Sequence, residues 1–238
     1  MKRQIILYLL FLQLFSCVTS NNEYKVAYKG ALKDIMHKGD ISAKINLSFF
    51  EEKNHFYALG AIEDLKGEIQ IFNSKPFNTI VIDNTLTFDN SFKNKATLLV
   101  YASVEKWNKI IIPENISTYT KFEEYIENTA RINHINTDEP FPFLIEGTAQ
   151  SFNWHVIDWK DDDMHHTHEK HKTSGLYGAI NNSQVEMLGF YSNAHHTIFT
   201  HHTTNMHIHV KTADGEVAGH VDDMILGKEM ILKLPAIN

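Results

Sequence analysis

The chain has 238 residues, of which 43% are hydrophobic, 21% charged and 11% aromatic; this composition excludes a disordered, collagen-like or coiled-coil protein. It carries 22 Lys and Arg against 29 Asp and Glu, a net charge of −7, which argues against a nucleic-acid partner because phosphates require a basic surface. The single Cys excludes an internal disulfide framework and a zinc ribbon. Of the 15 His, twelve lie from His155 onward.

The N-terminus has the pattern of an export signal. Lys2 and Arg3 precede an apolar run at residues 5–15, which is much shorter than the roughly 20 residues that span a bilayer. We therefore predict a secretory signal over residues 1–20. Cys17 follows a segment that resembles the lipobox of bacterial lipoproteins, so we expect a lipid on Cys17; cleavage near Ser20 is the alternative. Either reading predicts an exported protein on the periplasmic or cell-envelope side.

The next part of the chain alternates short helices with apolar, β-branched runs of strand length. Gly39 is placed to end the first helix, because glycine adopts the left-handed conformation of a helix C-terminus. Two helical segments and then five strands are predicted, at residues 30–39, 47–52, 56–62, 68–72, 79–82, 96–104 and 109–112.

A longer helix is predicted from Thr120-Lys121-Phe122-Glu123, which fits a capping box, with apolar residues at helical spacing up to Ala130. Pro140 and Pro142 end the helical pattern. The rest is strand-like, with polar loops at residues 161–173 and 181–183. The sequence thus predicts a mixed α+β domain over residues 24–238, built of two closely packed strand-rich lobes at about 24–140 and 141–238.

Two segments near the C-terminus form a predicted hairpin. Residues 206–210 and 217–221 alternate as strands do, and Asp214-Gly215 between them is a strong hairpin turn signal. A two-residue turn pairs His209 with His220, and His207 lies on the same face as His209 because side chains on a strand repeat every two residues. Three imidazoles therefore converge on one side of the hairpin.

Three His on a rigid ribbon suit a catalytic zinc ion with an open coordination position, although imidazole also binds other divalent first-row metals. The alternative is a pair of exposed His with an unrelated third. The same register places Asp222 opposite His207, where it is either a partner of a ligand or a solvated strand end.

The other His form two groups. His165, His166, His168 and His171 lie in a polar stretch that predicts a mobile loop, with adventitious metal binding as the alternative. The pairs His195-His196 and His201-His202 flank an apolar segment, and on a strand one member of each pair would face the metal cleft.

Six segments resemble, in order and spacing, the motifs of the α-acetolactate decarboxylases, over residues 29–235. They are Gly30-Ala31-Leu32, Leu65-Lys66-Gly67-Glu68 behind Gly60, Ile145-Glu146-Gly147, Leu188-Gly189-Phe190-Tyr191-Ser192, Met206-His207-Ile208-His209 and Ala218-Gly219-His220-Val221-Asp222.

The resemblance implies a two-lobed α/β fold and conversion of acetolactate to acetoin and carbon dioxide. It implies zinc on His207, His209 and His220, and an active-site glutamate at Glu68. The family's active-site Arg falls on or near His155 and is therefore absent here, and its C-terminal glutamate has no match either. These two departures leave the exact substrate open.

We therefore predict a zinc-dependent carboxy-lyase. The keto and hydroxyl oxygens of a small 2-hydroxy-3-keto acid would chelate the metal, which would stabilise an enediolate. His155 would contact the carboxylate or donate a proton, and Glu68 would orient the hydroxyl or relay a proton. A metal-dependent lyase or hydrolase of another small hydroxy- or keto-acid, and a non-catalytic exported zinc-binding protein, are the alternatives. We expect a homodimer or a monomer.

Overall fold

The computed structural model describes residues 24–237. The predicted signal, with Cys17 and its expected lipid, lies outside the described residues, so export and lipidation stay predictions. Within residues 24–237, no helix combines the length and apolar character that crossing a bilayer requires.

The described part of the chain is rich in short strands. The strands are β1 (Ala27–Lys29), β2 (Ile45–Asn46), β3 (Phe56–Ile62), β4 (Glu68–Phe72), β5 (Lys75–Pro76), β6 (Asn78–Ile82), β7 (Thr85–Asp89), β8 (Lys95–Ser103), β9 (Trp107–Ile111), β10 (Phe141–Val156), β11 (Leu176–Tyr191), β12 (Met206–Thr212), β13 (Ala218–Ile225) and β14 (Ile231–Pro235). The helices are α1 (Leu32–Lys38), α2 (Tyr119–Ile132) and α3 (His168–Thr173), with single 3-10 turns at Leu47–Phe50 and Glu63–Leu65.

The first sheet contains β1 to β8 in the order β1-β8-β3-β4-β6-β7, with β2 added to β8 and β5 to β4. The predicted strands β3 and β4 are confirmed with their expected bounds. Gly60 allows β3 to approach β8 closely, because a Cβ at this position would lie 2.0 Å from the carbonyl oxygen of Leu98. Helix α1 ends at Gly39 in the left-handed conformation, as predicted.

The second sheet has the order β11-β12-β13-β10-β14-β9. Strands β10 and β11 also pair with each other along their length as one antiparallel hairpin, so β10, β11, β12 and β13 close into a ring. The mixed α+β class and the two sheets are confirmed. The lobe boundary near residue 140 stays a prediction, and β9 already belongs to the second sheet through its pairing with β14.

The predicted loop at residues 181–183 is wrong, because these residues lie within β11. Asn181 and Ser183 pair with Ser151 and Ala149 on β10. Asn182 between them has φ of 50°, a left-handed conformation that Asn tolerates better than most residues. The polar side chains are accommodated because this half of β11 is largely exposed.

Helix α2 begins two residues earlier than the capping box predicts. The cap is Thr118, whose side chain accepts a hydrogen bond from the backbone N–H of Lys121. Glu123, the expected reciprocal partner of Thr120, instead accepts hydrogen bonds from Thr204 Oγ1 at 3.1 Å and from the backbone N–H of Asn205. A long-range contact has therefore replaced the local capping interaction.

The position of this cap is testable by substitution. Thr118→Ala is expected to lower the free energy of unfolding by about 1 kcal/mol, because one N-terminal backbone N–H of α2 loses its acceptor. Thr120→Ala removes the same hydroxyl from a position that does not cap, so a change below about 0.5 kcal/mol is expected. Urea unfolding of both variants measures the difference. A larger loss of unfolding free energy for Thr120→Ala than for Thr118→Ala would show that Thr120 is the cap, as the sequence predicts.

Candidate metal centre

The β12–β13 hairpin has the predicted register. His209 pairs with His220, Val210 with Gly219 and Lys211 with Ala218. The turn closes through a hydrogen bond from the backbone N–H of Gly215 to the carbonyl of Thr212 at 3.0 Å. Gly219 is required beside His220, because a Cβ there would lie 2.5 Å from the carbonyl oxygen of His155 on β10.

His207, His209 and His220 form the predicted three-imidazole cluster. One ring nitrogen from each lies within 4.8 Å of the others, and Nε2 of His207 is 3.1 Å from Nε2 of His209. His209 is fully buried and His207 is 9% exposed. Among the described residues, no other group of three His, Cys, Asp or Glu meets this ligand spacing.

Gln70 on β4 fixes the orientation of His209. Its Oε1 lies 3.0 Å from Nδ1 of His209, and its amide nitrogen donates to Thr79 Oγ1 at 2.8 Å and to the carbonyl of Phe77. Because the amide oxygen only accepts, Nδ1 of His209 carries the proton and Nε2 keeps its lone pair. Sequence reasoning missed Gln70, although it lies two residues after Glu68 and so on the same strand face.

Burial keeps the three imidazoles neutral. It lowers the pKa of His207 to about 4 and holds the pKa values of His209 and His220 well below the usual range. A metal binds only the unprotonated nitrogen of imidazole. Neutral rings, closely spaced nitrogens and a fixed tautomer at His209 together fit a zinc ion, or another divalent first-row metal, held by three His.

Removing the Gln70 contact tests its role. Gln70→Leu is expected to weaken zinc affinity about 10- to 100-fold, because the ring of His209 loses the hydrogen bond that orients it. Competition with a chromophoric chelator measures the affinity. The control is Gln150→Leu, the same change at an exposed position, for which no change is expected. Equal affinities for the two variants would show that Gln70 does not support the site.

Glu68 on β4 lies between the imidazole cluster and His155, although it belongs to the other sheet. Its Oε2 is 3.7 Å from Nε2 of His209, and its Oε1 is 4.0 Å from Nε2 of His155. Oε1 also accepts a hydrogen bond from the backbone N–H of Ile157 at 3.2 Å. The carboxyl is 4% exposed, and this burial raises its pKa well above the usual value, which favours the protonated form.

His155 continues the cluster across the sheet. It pairs in register with His220, which in turn pairs with His209, so three imidazoles occupy adjacent strands. The ring centroids of His155 and His220 are 4.8 Å apart. The structure thus brings together all five predicted site residues, Glu68, His155, His207, His209 and His220.

Asp222 does not take its expected place opposite His207. The pairing of β12 with β13 stops at His209 and His220, and Asp222 lies at an irregularity in the pairing of β13 with β10. Its Oδ2 contacts Nδ1 of His155 at 2.9 Å. Both alternatives stated for Asp222 are therefore corrected: it does not face His207, and it is not a solvated strand end, since its side chain is only 10% exposed.

A cavity of about 360 Å³ opens above the cluster. Glu68, His155, His207 and His220 line its polar side. The apolar wall is formed by Leu32, Ile35, Leu65, Leu98 and Phe199. Among the described residues that line the cavity there is no Lys or Arg, while Glu123, Asp222 and Asp223 are present.

Part of the predicted polar loop at residues 161–173 is helical. Residues 168–173 form α3, and His166 and His171 are buried, with Nδ1 of His166 2.9 Å from Nε2 of His171. His166 stacks on Trp159 at a centroid distance of 4.3 Å. The prediction of a loop is therefore wrong for these residues. Residues 195–202 lie between β11 and β12 and not on a strand, so the alternation of a strand does not apply to them. His201 lines the cavity and His202 does not, and neither His195 nor His196 lines it.

Solved structures with a similar fold include acetolactate decarboxylases. The crystal structure of α-acetolactate decarboxylase from Bacillus subtilis strain 168 superposes with a TM-score of 0.70 over 90% of this chain and 86% of that chain. The chain has the acetolactate decarboxylase fold. A protein of unknown function from Staphylococcus aureus, described as similar to α-acetolactate decarboxylase, gives a TM-score of 0.67 over 87% of this chain and 84% of that chain.

The predicted resemblance to acetolactate decarboxylase is thereby confirmed for the fold. Sequence identity is 15% to the Bacillus subtilis enzyme and 12% to the Staphylococcus aureus protein. No protein-family model matches the chain, and no curated protein matches its sequence. At this divergence the similarity shows the fold alone, and the chemistry depends on the side chains of this chain.

Proposed function

We propose that this protein is a zinc-dependent carboxy-lyase that converts acetolactate, or a closely related 2-hydroxy-3-keto acid, to the hydroxyketone and carbon dioxide. The observation that carries the proposal is the cluster of three neutral, buried imidazoles at the polar side of a cavity, with Glu68 and His155 beside it. The shared fold with α-acetolactate decarboxylase supports it.

His207, His209 and His220 would hold the zinc ion, which supplies Lewis-acid polarisation of the substrate carbonyl when bound. Because the three ligands are neutral, they leave the ion's charge available to the substrate. Gln70 keeps the ligand ring of His209 in place. Leu98, Phe199 and their apolar neighbours pack the alkyl groups of the substrate and limit access of water.

Glu68 is assigned as the general acid, which donates the proton that replaces the lost carboxylate. Its carboxyl is buried at the polar side of the cavity, and Ile157 holds one of its oxygens through the backbone N–H. A general acid of this kind contributes about 10²- to 10⁴-fold to a rate. His155, 4.0 Å from Glu68, is assigned to restore this proton and to contact the substrate carboxylate.

The test is acetoin release from racemic acetolactate by the fully zinc-loaded protein, compared with the metal-free protein. Glu68→Gln is expected to retain zinc and to lose at least about 100-fold in kcat, because the amide cannot donate an acidic proton. The matched control is Glu52→Gln, the same change at an exposed position, and should leave the rate unchanged. His37→Ala, which removes an exposed imidazole on α1, should likewise have no effect. A zinc-loaded protein that releases no acetoin above the metal-free background contradicts the proposal.

The second candidate is a metal-dependent lyase or hydrolase of a larger hydroxy- or keto-acid. A cavity of about 360 Å³ with an extended apolar wall falls in the range that accommodates drug-sized ligands, which exceeds the needs of a five-carbon acid. The same assay with 2-hydroxy-3-keto acids of increasing alkyl length separates the candidates. A kcat/KM that is highest for acetolactate favours the first candidate, and one that rises with alkyl length favours the second.

A further inference from the structure

An irregularity in β13 aims an acidic side chain at His155. Strands β10 and β13 pair Asn153 with Asp223 and Trp154 with Val221, so Asp222 is an extra residue without a partner on β10. Such a bulge re-aims a side chain and is over-represented beside active sites. Here it turns the carboxylate of Asp222 toward the row of imidazoles instead of leaving it at a strand end.

Asp222 makes one contact with each oxygen. Its Oδ2 shares a hydrogen bond with Nδ1 of His155 at 2.9 Å. Its Oδ1 is 3.2 Å from Nζ of Lys172 on α3, an ion pair that does not have hydrogen-bond geometry. The Asp222 and His155 side chains are only 10% and 8% exposed, so water is largely excluded from this contact. A carboxylate only accepts hydrogen bonds, and therefore Nδ1 of His155 must carry the proton that it shares with Asp222.

The hydrogen bond to Asp222 leaves the other ring nitrogen of His155, Nε2, free to face the cavity. With Nδ1 committed to Asp222, Nε2 of His155 is the nitrogen that faces Glu68, 4.0 Å away, and His155 itself lines the cavity. We propose that Asp222 and Lys172 are positioning residues: Asp222 fixes the tautomer and ring orientation of His155, and Lys172 fixes which oxygen of Asp222 faces the ring.

This inference rests on the proposed function for its effect on turnover, and its structural part is tested without turnover. In zinc-loaded protein labelled with ¹⁵N-histidine, long-range ¹H–¹⁵N correlation distinguishes protonated from unprotonated ring nitrogens. The signals of His155 are those lost in His155→Gln. Protonation of Nδ1 is expected, and a ring protonated only on Nε2 would overturn the inference.

Asp222→Asn is the informative variant. The ammonium group of Lys172, 3.2 Å from Oδ1, attracts the amide oxygen and repels the amide N–H2. The N–H2 therefore faces Nδ1 of His155, which drives the proton to Nε2. We expect the tautomer to change, kcat to fall at least about 10-fold, KM to stay within about twofold and zinc content to stay at the wild-type value. An unchanged tautomer, or a loss confined to KM, would overturn the proposed role.

The double variant Asp222→Asn/Lys172→Met separates positioning from a general structural effect. Without the ammonium group, the amide oxygen is free to accept from Nδ1 of His155, so the wild-type tautomer and most of kcat should return. A purely structural role predicts a further loss, and that result would contradict the inference. The control is Lys228→Met combined with Asp222→Asn, since the Lys228 side chain is 81% exposed and its removal should restore nothing. If the wild-type protein lacks activity, the tautomer still decides this inference independently of the proposed function.

Discussion

Replacing His209 by Ala is expected to eliminate tight zinc binding and to reduce acetoin release by more than about 100-fold, beyond the loss typical of a residue that only supports a ligand. His209 is the fully buried member of the cluster. It lies beside His220 in the strand pairing, and its Nε2 is 3.1 Å from that of His207. No neighbouring imidazole can therefore replace it without moving a strand.

Elemental analysis after dialysis measures this effect as a fall from one zinc ion per chain to none. His37→Ala is the control and should keep its zinc. Several weakly held ions that persist in His209→Ala would contradict a single site, and would instead favour the non-catalytic zinc-binding protein, with the ions spread over the His of residues 165–171 and 195–202. Zinc content thus separates the catalytic hypotheses from the binding one before any substrate is added.

Replacing Phe122 by Ala should lower the free energy of unfolding by about 3–5 kcal/mol, the usual cost of removing a phenyl group from a packed core. Phe122 on α2 is fully buried, and its ring centroid lies 5.8 Å from that of Phe143 on β10. The substitution leaves a cavity between helix and sheet that the rigid strand cannot close.

Urea unfolding measures the change, and Phe49→Ala provides the same chemical change at a side chain that is 70% exposed, with an expected effect within about 0.5 kcal/mol. A loss below about 1 kcal/mol for Phe122→Ala would show that α2 is not anchored through this ring. Tyr119 and Glu123 of α2 also line the cavity. When Phe122→Ala is warmed, we therefore expect its KM to rise at a lower temperature than the one at which zinc is lost.

The hairpin that carries the ligands was predictable because its determinants are local. The Asp214-Gly215 turn sets the register, and the two-residue period of a strand then places three imidazoles on one face. Strands β3 and β4 were equally predictable from the sequence, since both are short apolar runs separated by turn residues.

The parts that sequence reasoning missed depend on contacts between distant segments. Gln70 and His209, which are in contact, are 139 residues apart in the sequence. Glu123 accepts a hydrogen bond from the backbone of Asn205 instead of forming the predicted capping interaction. Nothing in the local pattern marks Asp222 as the extra residue of a bulge, because the mismatch exists only once β13 pairs with β10. The sequence thus indicated Glu68, His155 and the three-imidazole cluster, whereas the contacts that Gln70 and Asp222 make with these imidazoles depend on the folded structure.

The placement of His155, His220 and His209 on three adjacent strands has a consequence for divergence. Their ring centroids are separated by 4.8 and 5.4 Å, close to the 4.7–4.9 Å at which backbone hydrogen bonds hold neighbouring strands. The spacing of the strands thus sets the spacing of these three imidazoles, of which His209 and His220 are proposed metal ligands. We expect insertions in the segments between strands, such as residues 192–205, to leave that spacing intact, so that substrate specificity can change in these connections while the imidazole cluster is kept.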